Sequence, residues 1–168
     1  ITNSGNSRSA AGSLDVTDYL ETIKLLGTAG INAMDQSKVS FICDPNTYWK
    51  TMQLSEVLTR DVYASPTIEN GRLTGLWGYG LMPSANMHFG STARKATSAG
   101  LVDDGSADDY GAILAVRWDQ WKFGWRRRMT METTRYAKSD ANEIVAMIRV
   151  GLKYRDTDAS AITYYVGV

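Results

Sequence analysis

The stretch "KVSFICDPNTYWKTMQL", Lys38 to Leu54, changes its rule halfway along. Its first part, Lys38–Cys43, is a short apolar run that reads as a buried strand. Asp44 and Pro45 then start a helix at once. A carboxylate at the N-cap accepts hydrogen bonds from the first free amides, and proline at the first helical position loses nothing by lacking an N–H. The spacing predicts a helix over Pro45–Ser55 with Tyr48, Trp49 and Met52 on its packed face. A strand that feeds a capped helix without a loop points to mixed α and β structure.

Upstream, residues 1–13, "ITNSGNSRSAAGS", are rich in Ser, Asn and Gly and offer little to bury, so they read as a flexible arm or linker. The chain begins without Met, which suggests a processed product or a fragment of something longer. A helix is expected over Thr17–Leu26. Asp15 or Thr17 caps it, Leu20, Ile23 and Leu26 form its apolar stripe, and Gly27 stops it.

Downstream, Ser55 to Gly71 has mixed polarity and turn signals at Ser65-Pro66 and Asn70-Gly71, the marks of an exposed loop. "RLTGLWGYGLMPS" reads as extended, its glycines marking bulges or close backbone approach. "DDGSADDY", Asp103 to Tyr110, is a solvated acidic loop. After it, "AILAVRW", "WDQWKFGWRRRMTMETTRYAKSD", "EIVAMIRVGLKYR" and "SAITYYVGV" read as strands. In the second of these, Trp121, Phe123 and Trp125 fall at period two, with Lys122, Arg126 and Arg128 in the opposite parity. Arg127 joins the aromatic side, where Met129 and Met131 continue. The fold class is therefore α+β: a central sheet flanked by two helices, plus an extended β lobe.

Lys plus Arg and Asp plus Glu are both 18, so nothing steers the whole chain toward phosphate. Cys43 is the sole cysteine and sits in an apolar run, as a small buried hydrophobe would. No apolar run approaches the roughly 20 residues that span a bilayer, and no signal peptide is visible. Few residues suggest catalysis. His88, the sole histidine, lies near Ser84 and Ser91 but has no neighbouring Asp to orient it. "GLWGYG" does not fit a dinucleotide fingerprint, and the acidic loop lacks the alternating ligands of a calcium site. No catalytic residue, cofactor or metal is assigned. The arginines with Trp121 and Trp125 allow stacking on nucleic acid, but period-two aromatics on a strand more often form core or interface.

Taken in order, these elements resemble the major capsid proteins of tailed phages of the Hong Kong 97 type. The resemblance rests on the strand, Asp44-Pro45 and the helix with Tyr48 and Trp49. It continues in "GRLTGLWGYGLMPSANM", where Pro83 comes later than in the family pattern, and in the closing "DASAITYYVGV". It covers about Leu14 to Val168, and encapsulin shell proteins share the fold. It implies that 14–88 and 158–168 form the axial (A) domain and 89–157 the C-terminal strands of the peripheral (P) domain. An arm, an extended loop and a spine helix would lie upstream. The loop from Glu56 to Arg72 would sit near the capsomer axis.

The function implied is a non-enzymatic major capsid subunit that self-assembles into the icosahedral head of a tailed phage or prophage. Its partners would be copies of itself in hexamers or pentamers, with packaged DNA at the inner surface. It would act without membrane, cofactor or small-molecule substrate, in a virion assembled in bacterial cytoplasm. Lys122, Arg126 and Arg128 are the candidate subunit or genome contacts. Trp121, Phe123 and Trp125 are expected to be shielded by the subunit or its upstream helix, with some of that aromatic face open where the helix is absent. The alternatives are another virion or tail structural protein, and a nucleic-acid-binding module using the Trp/Arg strand.

Overall fold

The computed structural model describes residues 6–58, 68–69, 72–87 and 110–168 of the chain. Two compact units emerge, one of residues 1–119 with 156–168, the other of residues 120–155.

The first unit is a six-stranded mixed sheet with helices on one face. In chain order its elements are β1 (Ser7–Ser13), α1 (Val16–Lys24), β2 (Val39–Cys43), α2 (Pro45–Gln53) and α3 (Ser55–Leu58). A small hairpin, β3 (Ile68–Glu69) and β4 (Arg72–Leu73), precedes β5 (Gly75–Leu76), β6 (Tyr79–Pro83) and β7 (Tyr110–Arg117). The chain returns for β10 (Ser160–Gly167), and the sheet order is β1-β10-β7-β2-β6-β5. β2 and the closing strand β10 lie in one sheet, as the sequence predicts, with β7 antiparallel to both.

Local rules account for the helices. Asp15 caps α1 by accepting from Thr17 N, and Asp18 reaches back to the Asp15 amide at 3.0 Å, so two free donors are satisfied reciprocally. Gly27 follows in a left-handed conformation (φ 77°) that ends the turn at little steric cost. Along β2, Val39, Phe41 and Cys43 are buried while Ser40 and Ile42 are half-buried. Phe41 is the centre of the core. Tyr19 of α1 meets it edge-on at 5.1 Å and Tyr79 of β6 at 5.8 Å. The Tyr19 hydroxyl also bonds Thr51 of α2 at 2.5 Å, joining the helices above the sheet.

Three expectations need correction. Residues 1–13 are not simply an arm: Ser7–Ser13 is an edge strand, parallel to β10. Backbone pairing does not require apolar side chains, and polar anchors hold this strand. The Asn6 amide donates to Thr157 O, Asp158 Oδ1 and Ser160 O, and Arg8 pairs with the buried Asp18 at 2.9 Å. The division at residue 89 also fails, because Tyr110–Arg117 lies inside the central sheet. Finally, "RLTGLWGYGLMPS" is not one extended run. Trp77 (φ 51°) and Gly78 (φ 79°) turn β5 back onto β6, the double positive-φ turn that suits strand twist. His88 and the acidic run Asp103–Asp109 lie outside the described residues, as does most of the loop predicted from Glu56 to Arg72; of its described residues, 56–58 are helical in α3, 68–69 form β3 and Arg72 opens β4.

The second unit is a single long hairpin of β8 (Trp121–Tyr136) and β9 (Ala141–Tyr154). It carries the aromatic and arginine-rich stretch.

Candidate interaction surface

The motif residues Asp44, Pro45 and Tyr48 are architectural. Asp44 is fully buried at the β2–α2 corner. Its Oδ2 accepts from Thr47 N at 2.9 Å, and its Oδ1 accepts from Thr47 Oγ1 at 2.5 Å and Ala112 N at 3.0 Å. The carboxylate thus caps α2 and ties it to β7. The neighbouring Gly111 leaves no room for a side chain, since a Cβ would overlap Thr47 Oγ1 and Asp44 Oδ1. Pro45 opens α2 and Tyr48 anchors it, donating to Leu73 O and accepting from Leu73 N, both at 3.1 Å. Trp49 is not packed as expected: it is 58% exposed and touches Tyr48 edge-on. Pro83 is exposed at the end of β6, opposite Cys43.

Nothing in this corner is poised for chemistry. Burial, with the Asp44 charge adding to it, pushes the Cys43 thiol up to about 12, so the nucleophilic thiolate is absent near neutral pH. Among the described residues no group of three His, Cys, Asp or Glu side chains could hold a metal. No helix is long and apolar enough to cross a membrane, among the same residues.

The surface that stands out is the hairpin. Residues directly opposite in an antiparallel pair share a face. One face therefore carries Trp121 with Tyr154, Phe123 with Leu152 and Trp125 with Val150, and further on Met131 with Ala146 and Thr133 with Ile144. Of the two covers expected for these aromatics, the chain itself does not provide one, and the face is partly open, as the sequence reading allows. Trp121 is half-buried against Tyr154, but Phe123 is 55% exposed and Trp125 57% exposed. A two-stranded ribbon has no second layer to cover its faces.

The other face is basic. Lys122 lies opposite Lys153, Gly124 opposite Gly151, and Arg127 opposite Arg149. The predicted parity of Arg126 and Arg128 breaks here, because the register shifts twice, between Trp125 and Arg127 and between Arg127 and Thr130. Each shift is a bulge in which two residues oppose one. Arg126 and Arg127 together face Arg149, whereas Arg128 and Met129 face Ile148. Arg127 therefore leaves the aromatic side to which simple alternation assigns it, and it approaches Glu132 at 3.9 Å. An open depression of about 730 Å³ at this bulge is lined by Gly124, Arg126, Arg149 and Gly151 among others. Lys122, Arg126 and Arg128 are all exposed, but sequence reasoning missed Arg149 and Lys153, which only the register brings to them.

No protein-family model matches the sequence, and no curated protein matches it. Solved structures do. The capsid of the cyanophage P-SCSP1u superposes with a TM-score of 0.63 at 18% identity, over 99% of this chain and 55% of that one. The mature capsid of bacteriophage PhiM1 gives 0.63 at 12% identity, over 94% and 50%. The SrpI encapsulin complex from Synechococcus elongatus PCC 7942 gives 0.61 at 14% identity, over 99% and 55%. The chain spans about half the length of the solved shell proteins that it matches. With its central sheet, helical layer and long hairpin, it has the Hong Kong 97-like fold of phage capsid and encapsulin shells.

Proposed function

We propose that this chain is part of a major capsid subunit that self-assembles into the icosahedral head of a tailed phage or prophage. The observation that carries the proposal is the likeness to phage capsids over nearly the whole chain. The hairpin supports it, because both its faces are open to solvent and offer contact area without a catalytic cleft. In this reading the first unit is the axial domain with its closing strand, and the hairpin belongs to the peripheral domain. The apolar face is covered by another segment of the gene product. Lys122, Arg126 and Arg128 are contact residues, and the subunit is structural rather than enzymatic. Capsomers are hexamers or pentamers of this subunit, assembled in the cytoplasm of a bacterial host. Packaged DNA lies against the inner wall.

The test is to express in bacteria the gene product that carries this chain and to examine it by sedimentation and electron microscopy. Closed shells of uniform size are expected. Nuclease-resistant DNA inside them marks a phage head, whereas a protein cargo marks an encapsulin-type compartment. A product that stays monomeric under all assembly conditions defeats the proposal.

A further inference from the structure

The net charge of zero conceals a division. The hairpin unit, residues 120–155, contains nine Lys and Arg against three Asp and Glu, a net charge of +6. The remaining unit contains nine Lys and Arg against fifteen Asp and Glu, a net charge of −6. The basic charge is also concentrated. Lys122 and Lys153 form one cross-strand pair and Arg127 and Arg149 another, with only the Gly124–Gly151 pair between them. The two pairs stand about 13 Å apart along β9. The glycines leave the floor between them bare: a Cβ on Gly151 would meet no atom within 4 Å.

Like charges placed directly opposite destabilise a strand pair. Among the described residues the one salt bridge of these four cations is Arg127 with Glu132, at the long distance already given. The face therefore calls for an anionic partner. We propose that this partner is the acidic unit of a second copy of the same chain, so that the basic hairpin of one subunit docks on the acidic unit of its neighbour. This deepens the shell-subunit reading and rests on it.

The charge balance favours a second copy over a nucleic acid. The chain carries on its other unit an opposite charge of equal size, and hairpin-to-unit contacts cancel both. Phosphate on the hairpin would leave −6 uncompensated and bring it near a polyanion. Contact of hairpin on hairpin would set +6 against +6. Repeated, the hairpin-to-unit contact is heterologous, the kind that forms rings where the rotation between neighbours closes.

The test uses the gene product that carries this chain, freed of nucleic acid by nuclease, and the triple variant Lys122→Glu, Arg127→Glu, Arg149→Glu. The critical concentration for assembly is read by light scattering and the fold by circular dichroism. Three reversed surface contacts should raise that concentration about tenfold. High salt should weaken wild-type assembly and leave the variant nearly unaffected. A neutral variant, Lys122→Gln, Arg127→Gln, Arg149→Gln, relieves the like-charge pairs and guards against misfolding. It should raise the critical concentration to a lesser degree. Unchanged assembly of the neutral variant overturns the inference. So does a reversed variant that assembles normally and loses only retention on duplex DNA, which would make the cations phosphate ligands while leaving the shell reading intact. A wild-type product that never assembles removes that reading, and this inference with it.

Discussion

Asp44 serves three donors with two oxygens, and the neighbouring residues are arranged around that fact. Replacing it with alanine removes an N-cap and strands Ala112 N in the core. The expected cost is about 2–4 kcal/mol, read as a lower midpoint in urea unfolding. An unchanged midpoint would mean that water or another group substitutes. Gly111→Ala should cost about 1–3 kcal/mol through overpacking at the same corner. Cys43 beside it should resist thiol reagents until the chain unfolds. Its folded form holds the proton up to about 12, against a reference value of 9.0, so between these values the folded state binds more protons. Stability should therefore fall as pH rises through that window. Burial pushes the Tyr19 hydroxyl up in the same direction. Asp44, Pro45 and Tyr48 were legible in the sequence because a cap, a first-turn proline and one buried helix position are local matters. Gly111 was not legible, since the atoms that exclude its Cβ lie more than sixty residues away in the chain.

Among the elements, β1 shows most clearly where pattern reading stops. "SRSAAGS" carries no apolar alternation, yet an open sheet edge accepts almost any backbone, and Asn6 and Arg8 supply the side-chain anchors. Removing residues 1–13 should leave Asp18 buried without its arginine and open the edge of β10 that β1 covers, with β7 still paired on its other side. A loss of about 2 kcal/mol is expected, or about 4–8 °C in melting temperature. A melt that does not move would return these residues to the status of a linker. The capped helices and the strands β2, β7 and β10 were readable because caps, apolar helix stripes and short apolar runs are local signals. The bulges of β8 were not readable. A one-residue slip in register moves every following side chain to the other face, and no local signal in "WRRRM" announces it. Replacing Phe123 and Trp125 with threonine should reduce binding of a hydrophobic dye by the unassembled chain, with little change in its melting temperature. These rings are exposed, so their removal opens no cavity.

At the scale of the whole molecule, the two units differ in what holds them together. The first buries Tyr19, Phe41, Leu26, Leu73, Leu76 and Ile113 almost completely between its sheet and helices. The hairpin has no buried residue at all among its described positions, and both its faces meet solvent. Two strands without a covering layer are marginally stable in water, whatever their length. Its hydrogen bonds are thus the least protected part of a chain whose other unit has a continuous core. Amide exchange should make the difference visible. In the unassembled chain, β8 and β9 should exchange about a hundredfold faster than β2, β7 and β10. On assembly the hairpin should gain protection while the central sheet changes little, because new contacts then cover the faces that are open now. Equal exchange rates in the free chain would mean that the hairpin is stabilised from within. Slow exchange confined to Trp121–Trp125 and Val150–Tyr154 would instead point to the paired aromatics as a local core, with the bulged, arginine-rich middle as the place where opening begins.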